Sequence, residues 1–194
     1  MTAPVNPRER LKELLVQRSV RLGDFTLASG ARSDYYVDAR RTTMSAEGQH
    51  WTGKVCLDAL LASDLDPTHV GGLTMGADPV SYAVARESFE RGRPLDGFSV
   101  RKQAKAHGTG QRIEGGLPQD ARCLVIEDSM TSGGSALKAI EAIEDFGASV
   151  VGVLTLVDRQ EGGEARLAEA GYPLIAVFSG PELLAAARAR ASGS

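Results

Sequence analysis

The chain has 194 residues, of which 42% are hydrophobic, so it can bury one sizeable core but is too short for two full domains. Its 22 Lys and Arg residues against 25 Asp and Glu give a formal net charge of -3, which removes the general electrostatic case for a nucleic-acid or anionic-membrane partner. The N-terminal segment lacks an apolar signal core and no later apolar run reaches the length of a membrane span, so we expect a cytoplasmic protein.

The N-terminal third predicts a helix, a hairpin and a second helix. Leucines after Pro7 follow helical spacing. The segment FTLASGARSDYYVD alternates polar and apolar residues around a turn, which predicts a β-hairpin with Tyr35 and Tyr36 in its second half. Ser45 is a suitable N-cap for a helix that reaches about Ala62.

From about His69 the pattern becomes strand, loop and helix, repeated, which predicts an α/β fold with a largely parallel sheet flanked by helices. The runs CLVIE and SVVGVLTLVD are nearly continuous in apolar residues, as expected for strands covered on both faces. Ligands should therefore gather at the carboxyl ends of these strands. We expect a single domain over residues 1–194, with a core at about 69–157 and a small hood formed by about 1–65 and the C-terminal segments.

Cys56 and Cys123 lie in apolar surroundings without metal-ligand spacing. Buried thiols of a reducing compartment are therefore expected rather than a disulfide or a zinc site. Between two predicted strands, the stretch from Ala104 to Gln119 combines glycines, a proline and several charges. It predicts a long, mobile lid beside the ligand-binding edge of the sheet.

The segment CLVIEDSMTSGGSALKAI predicts an anion site, because a strand is followed by two acids, a turn of small residues and a helix. Small residues let backbone N–H groups approach phosphate oxygens, and the helix N-terminus adds a favourable dipole. Glu127 and Asp128 would repel a phosphate and suit neutral sugar hydroxyls about one ribose away. The segment therefore predicts a ribose 5-phosphate ligand, and its alternative is an ordinary tight turn with a solvated acidic pair.

This glycine-rich segment resembles the binding motif for phosphoribosyl pyrophosphate (PRPP) in type I phosphoribosyltransferases. The spacing R-K-x-x-K-x-H-G, formed by Arg101, Lys102, Lys105 and His107, resembles the catalytic loop of orotate phosphoribosyltransferases, although a solvated charge run is its alternative. The resemblance spans about residues 25–163 and implies a type I phosphoribosyltransferase-like fold. It implies Mg²⁺-dependent transfer of ribose 5-phosphate from PRPP to orotate in pyrimidine biosynthesis, giving orotidine 5′-monophosphate and pyrophosphate.

The resemblance also implies a homodimer in which Lys105 and His107 of a flexible loop, about residues 102–118, act in the neighbouring active site. Mobile cations that engage the leaving pyrophosphate late would stabilise the transition state preferentially. Asp128 is implied to stabilise positive charge that develops on the ribose, so it joins the two loop residues as a catalytic prediction. Mg²⁺ is implied to bind mainly through PRPP, with no direct ligand from the protein.

The resemblance assigns the binding residues as follows. PRPP contacts fall on Arg101, Lys102, Lys105, His107, Glu127, Asp128, Ser129, Met130, Thr131, Ser132, Gly133, Gly134 and Ser135. Orotate contacts fall on Thr131 and Arg159, the latter because a carboxylate needs an arginine fork or backbone donors. A surface pair of Asp158 with Arg159 is the alternative for the arginine.

Two lysines that many family members carry are missing from this chain, at Ala28 in the hairpin and near Gly76 before a predicted helix. Two other functions are compatible with the motifs. The first is a phosphoribosyltransferase for uracil or a purine base, since one fold hosts several bases. The second is a PRPP-sensing regulator that binds nucleic acid, against which the acidic balance and the lack of a helix-turn-helix argue.

Overall fold

The computed structural model describes residues 5–26, 32–103 and 112–193. The helices are α1 (Pro7–Arg18), α2 (Arg40–Thr43), α3 (Ala46–Leu61), α4 (Ala77–Glu90), α5 (Gly134–Phe146), α6 (Gly163–Glu169) and α7 (Gly180–Ser192). The strands are β1 (Val20–Thr26), β2 (Arg32–Val37), β3 (His69–Leu73), β4 (Asp96–Val100), β5 (Ile113–Glu114), β6 (Arg122–Met130), β7 (Ser149–Asp158) and β8 (Leu174–Ser179).

The central sheet has the strand order β5-β4-β3-β6-β7-β8, and every neighbouring pair is parallel except β4 with β5. This arrangement confirms the predicted α/β fold with a largely parallel sheet. Because strands β3, β4, β6, β7 and β8 run in one direction, their carboxyl ends meet at one edge.

Both faces of the sheet are covered, which explains the apolar runs in the sequence. Successive residues of β6 alternate between two core clusters: Leu124 and Ile126 pack with α1, α3, α4 and α7, whereas Cys123 and Val125 pack with α5 and α6. A strand with one apolar face would have shown polar residues at every second position. Within the described residues, none of the helices combines the length and apolarity that crossing a bilayer demands.

The predicted hairpin forms the separate antiparallel sheet β1-β2. Helix α7 contacts both α1 and β1, and Glu182 of α7 forms ion pairs with Arg8 at 3.0 Å and Lys12 at 3.1 Å. The C-terminal helix therefore packs against α1 and the β1-β2 hairpin, which are among the segments predicted to form the hood. Strand β8 instead extends the central sheet as far as Ser179, so the core does not end near Val157 as we had predicted.

The predicted lid also needs correction. Ile113 and Glu114 pair with β4 as an antiparallel edge strand, and the side chains of Ile113 and Leu117 are buried. The C-terminal part of the stretch thus belongs to the folded core, because its apolar side chains cover the edge of the sheet. The remaining residues, 104–111, lie outside the described part of the chain.

Gly53 on α3 provides a test of the packing between α3 and α4. A Cβ atom there would lie 2.5 Å from the carbonyl oxygen of Ala83, so the two helices must move apart. We expect Gly53→Ala to lower the free energy of unfolding by about 1–3 kcal/mol, although Gly→Ala within a helix normally stabilises. Denaturant unfolding measures the change.

Gly134→Ala is the matched control, because a Cβ atom at Gly134 meets its nearest neighbours at 3.8 Å. This variant should stay within about 0.5 kcal/mol of the parent protein. Equal stability of Gly53→Ala and the parent would show that the close helix approach is not required.

Candidate functional site

A cleft of about 1360 Å³ lies where the carboxyl ends of β3, β6 and β7 face the β1-β2 hairpin. Its volume exceeds the usual range for one small ligand, roughly 300–1,000 Å³, so two substrates fit together. The predicted site residues that line it are Lys102, Glu127, Asp128, Ser129, Thr131, Ser132, Ser135 and Arg159. Residues far apart in the chain thus converge on one cleft.

The other predicted residues are placed differently. The side chain of Met130 is fully buried in the core, so our prediction that it contacts PRPP is wrong for the side chain. The reason is that β6 continues through Met130, and the alternation of side chains along the strand directs this one into the core. Arg101 lies beside a smaller neighbouring cavity and forms an ion pair with Glu114 at 2.7 Å. Lys105 and His107 lie outside the described residues.

Glu127 and Asp128 belong to β6 itself, since pairing with β7 continues as far as Met130. Burial, reinforced by the neighbouring charge of Asp128, raises the pKa of Glu127 to about 7. Hydrogen bonds from the Ser135 hydroxyl and the Ala136 N–H lower the pKa and oppose part of this shift. Its Oε2 atom is buried and has no hydrogen-bond partner among the described residues. A buried acceptor without a donor suits a ligand hydroxyl.

Asp128 lies against the turn that precedes α4. Burial raises the pKa of its carboxyl, while the Ser129 N–H and the charge of Arg40 oppose the shift. A Cβ atom at Gly76 would lie only 2.4 Å from Asp128 Oδ1. A side chain at Gly76 itself would therefore have to displace the Asp128 carboxyl.

The turn between β6 and α5 supplies the anion-binding geometry. Gly133 has a φ angle of 71°, a left-handed conformation that favours glycine, and it is the N-cap of α5. In this part of the described chain, no side chain caps the helix N-terminus. The N–H groups of Gly134 and Ser135, which precede the Ala136 N–H that donates to Glu127, therefore remain available, together with the helix dipole, to an anion in the cleft.

Arg159 follows β7 and is only 6% exposed. Its Nε donates to the Tyr35 hydroxyl at 3.1 Å, its Nη2 donates to Ser33 Oγ at 3.3 Å, and Nη2 also lies 3.1 Å from Glu161 Oε1. The guanidinium carbon lies 4.2 Å from the centre of the Tyr35 ring. These contacts exclude a surface position for this arginine.

Asp158 is buried as well, and its Oδ1 accepts a hydrogen bond from the Gln160 N–H at 2.9 Å. The alternative of a surface Asp158–Arg159 pair is therefore wrong. Of the two hairpin tyrosines, Tyr35 is buried against Arg159, whereas Tyr36 is 40% exposed and packs near the Phe25 ring. Both line the cleft.

The polar residues of the cleft that sequence reasoning did not assign include Ser33, Asp38, Arg40 and Glu161. Arg40 donates to Asp38 Oδ1 at 3.0 Å and faces the charge of Asp128. The position of Glu161, two residues after Arg159, was the available signal for that residue. Nothing in the local sequence points to Ser33 or Asp38.

The described residues contain no group of three or more His, Cys, Asp or Glu side chains that could hold a metal ion. The oxygen atoms of Glu127 and Asp128 nevertheless suit a hard cation such as Mg²⁺, which commonly binds through one or two carboxylates and substrate phosphates. The buried Oε2 atom of Glu127 is consistent with that chemistry, reached directly or through a ligand hydroxyl.

Comparisons with known proteins agree with this architecture. Residues 53–171 match the family model of the phosphoribosyl transferase domain. An orotate phosphoribosyltransferase of Streptomyces avermitilis is 48% identical over 177 residues, which cover 91% of this chain and 96% of that protein. The Mycobacterium tuberculosis H37Rv orotate phosphoribosyltransferase in complex with Fe(III) dicitrate has a TM-score of 0.80 and 43% identity, over 92% of this chain and 99% of that one.

A second structure of the M. tuberculosis enzyme is a complex with PRPP. It has a TM-score of 0.74 and 38% identity, and the match covers 92% of this chain and 99% of that chain.

The raised pKa of Glu127 makes stability depend on pH. An unfolded glutamate ionises near 4.5, whereas the folded residue keeps its proton to about pH 7. The folded protein therefore loses stability as pH rises between these values, and the full penalty persists above about pH 7. We expect Glu127→Gln to remove that penalty. Above about pH 7, the free energy of unfolding of this variant should therefore exceed that of the parent by roughly 1–3 kcal/mol.

Unfolding by denaturant between about pH 5 and pH 8 measures this difference, which should grow with pH and then level off. Glu141→Gln, which changes an exposed carboxyl on α5, is the control and should show no such dependence. A pH-independent difference for Glu127→Gln would contradict the burial of a titrating carboxyl.

Proposed function

The chain belongs to the orotate phosphoribosyltransferase family, and we propose that it transfers ribose 5-phosphate from PRPP to orotate, giving orotidine 5′-monophosphate and pyrophosphate. This reaction would serve de novo synthesis of uridine 5′-monophosphate (UMP). The observation that carries the proposal is the convergence on one cleft of a helix N-terminus without a side-chain cap, a partly buried acid pair and a buried arginine. These groups match a phosphate, a ribose and a carboxylated base.

The 5-phosphate of PRPP binds the turn after β6. The N-terminal N–H groups of α5 donate to its oxygens, and the Ser132 and Thr131 hydroxyls lie in the same cleft. No lysine is needed for this contact, because the backbone donors and the helix dipole already favour an anion. Ser129 and Ser135 complete the polar lining.

The ribose hydroxyls bind Glu127 and Asp128. A hydroxyl donor would satisfy the buried Oε2 atom of Glu127, which otherwise lacks a partner among the described residues. Mg²⁺ would be held through PRPP, on hydroxyls bound by these two carboxylates, and would supply charge neutralisation for the leaving pyrophosphate. Asp128 also lies where its charge can stabilise positive charge on the sugar.

Orotate binds beside Arg159 and Thr131, which line the same cleft. The buried guanidinium is held by Tyr35 and Ser33 and can form a charge-assisted pair with the carboxylate of the base. This arginine supports orotate over uracil or hypoxanthine, since neither carries a carboxylate. It is the structural reason for preferring this function to another phosphoribosyltransferase activity.

The reaction proposed is a substitution at C1 of the ribose through an oxocarbenium-like state, with attack by orotate N1. The described residues bind and orient the two substrates, so positioning and electrostatic stabilisation account for the rate. Lys102, and in the family pattern Arg101, Lys105 and His107, would neutralise the departing pyrophosphate. Closure of the loop that carries them would exclude water.

Assembly and location complete the proposal. We place Lys105 and His107 of one protomer in the active site of its partner, within a homodimer. The buried free thiols of Cys56 and Cys123 support a reducing compartment, and we propose the cytoplasm. The net charge of -3 gives no support to a nucleic-acid or membrane partner.

The substrate is tested by mixing purified protein, PRPP and Mg²⁺ with orotate, uracil or hypoxanthine in parallel. We expect orotate absorbance to fall and the other two bases to remain unchanged, because only orotate offers a carboxylate to Arg159. The measurement is the initial rate with each base. Turnover of uracil or hypoxanthine in place of orotate would overturn the assignment of the base.

The shared active site is tested with a heterodimer carrying Lys105→Ala in one protomer and Asp128→Asn in the other, isolated by two different tags. Each variant homodimer should lose activity by about 100-fold or more. If the loop acts on the partner, one of the two sites combines an intact cradle with an intact loop, and the heterodimer should regain about half of the parent activity. The measurement is the rate of orotate consumption per dimer.

A heterodimer as inactive as the two variant homodimers would show that the loop acts within its own protomer. Failure to isolate any mixed species from co-expressed chains would contradict the homodimer. The parent pair carrying both tags is the control for the tags.

A further inference from the structure

The guanidinium of Arg159 is a buried charge that requires compensation. Its side chain is 3% exposed, and two of its partners, the hydroxyls of Tyr35 and Ser33, are neutral. Among the described residues, Glu161 is the only acid within ion-pair distance, with Oε1 3.1 Å from Nη2. A buried cation without a counter-ion would cost several kcal/mol, so this pair compensates the arginine before a substrate binds.

The two members of the pair differ in how firmly they are held. Arg159 is fixed by its side-chain contacts and by its backbone N–H, which donates to the Met130 carbonyl at 2.8 Å. Its Cα and Cδ atoms also lie 3.2 and 3.4 Å from the position of a Cβ atom at Gly180, so a larger residue there would collide with it. The arginine therefore has little freedom to follow a moving partner.

Glu161 lies at the rim of the cleft, with 32% of its side chain exposed. It stands between Gln160 and Gly162, both in left-handed conformations with φ angles of 56° and 93°. Its ion pair with Arg159 is the one contact that holds its carboxylate among the described residues. Rotation of this side chain into water breaks that contact and restores full hydration to the carboxylate.

We infer that Glu161 is a resident counter-ion that occupies Arg159 until the carboxylate of the base replaces it, and that this competition lowers the affinity of the site for carboxylated ligands. The inference rests on the proposed function, because it takes Arg159 as the orotate site. Exchange of one carboxylate for another keeps the buried guanidinium compensated throughout. A neutral base offers no such exchange and must bind beside an intact Arg159–Glu161 pair.

Replacing Glu161 with an uncharged residue should therefore strengthen the binding of carboxylated ligands. In Glu161→Gln the guanidinium lacks its internal competitor, so an incoming carboxylate gains the whole charge-assisted interaction. We expect the affinity for orotidine 5′-monophosphate to rise on the order of tenfold. The affinity for UMP, the same nucleotide without the carboxylate, should change less than about twofold.

Calorimetric titration of the full-length protein with each nucleotide measures both affinities without turnover. Glu164→Gln is the matched control, because it removes an exposed negative charge three residues away, on α6, outside the lining of the cleft. It should leave the affinities for both nucleotides unchanged. Glu161→Ala has neither a carboxylate nor an amide, so it separates the loss of the charge from any local effect of glutamine. It should shift the preference for orotidine 5′-monophosphate over UMP in the same direction as Glu161→Gln.

An unchanged or weakened affinity of both Glu161 variants for orotidine 5′-monophosphate, with the parent still preferring it to UMP, would overturn the counter-ion role while leaving the proposed function intact. A parent protein that binds the two nucleotides equally and consumes no orotate would instead refute the proposed function itself. An equal gain in affinity for both nucleotides would also overturn the inference, because it would show a general loss of charge repulsion rather than carboxylate exchange.

Discussion

Glu127 and Asp128 are successive residues of a strand that remains paired with β7 through Met130, so their side chains leave opposite faces of β6 at the cleft, Glu127 toward α5 and Asp128 toward the turn before α4. Burial raises the pKa of each carboxyl, and the shift is reinforced by the charge of Asp128 at Glu127 and by the charge of Asp38 at Asp128. In an exposed loop both carboxyls would be fully hydrated and would lose this shift. The strand thus supplies two acceptors that are already partly dehydrated.

The surroundings of the pair follow from that constraint. Gly76 leaves room for the Asp128 carboxyl, which a Cβ atom there would displace, and Arg40 contributes a compensating charge from the hood side. The Ser135 hydroxyl and the Ala136 N–H at the start of α5 donate to Glu127. Consequently, the same helix N-terminus that suits a phosphate also supports the carboxyl that we propose for the ribose. Phosphate and sugar would then be bound by groups joined through one turn of helix.

Much of the fold was predictable from the sequence because its signals are local. The apolar runs of β6 and β7 reflect burial on both faces, and the side chain of Ser45 caps α3 as its position suggested, accepting from the Gly48 N–H. Strand β5 was not predictable, since two residues carry no periodicity and form a strand only by pairing with β4. The placement of β8 in the sheet, rather than in the hood, likewise depends on a long-range pairing with β7.

The site shows the same division between local and long-range information. The acid pair and the glycine turn form one continuous segment, so a motif could indicate them together. The inward orientation of Met130 could have been inferred only by knowing that the strand extends past the acids. Ser33 and Glu161 belong to the site because they contact Arg159. Ser33 lies 126 residues from Arg159 in the chain, and Glu161 lies two residues from it. The role of Ser33 arises from tertiary packing, which leaves no pattern in the sequence, whereas the short spacing of Glu161 from Arg159 was a signal that the sequence contained.

Unpaired charge is compensated differently at the two ends of the cleft, the α5 N-terminus proposed for the phosphate and Arg159 proposed for the base. The N–H groups at the start of α5 carry partial charges at the cleft surface, where water can hydrogen-bond to them. Arg159 carries a full charge beneath the Tyr35 ring, where water cannot replace a counter-ion. At the proposed sites a phosphate would therefore displace solvent, whereas a carboxylated base would displace a protein side chain. This difference would place affinity mainly at the helix N-terminus and selectivity at the arginine, and it would link base recognition to the hairpin through Tyr35.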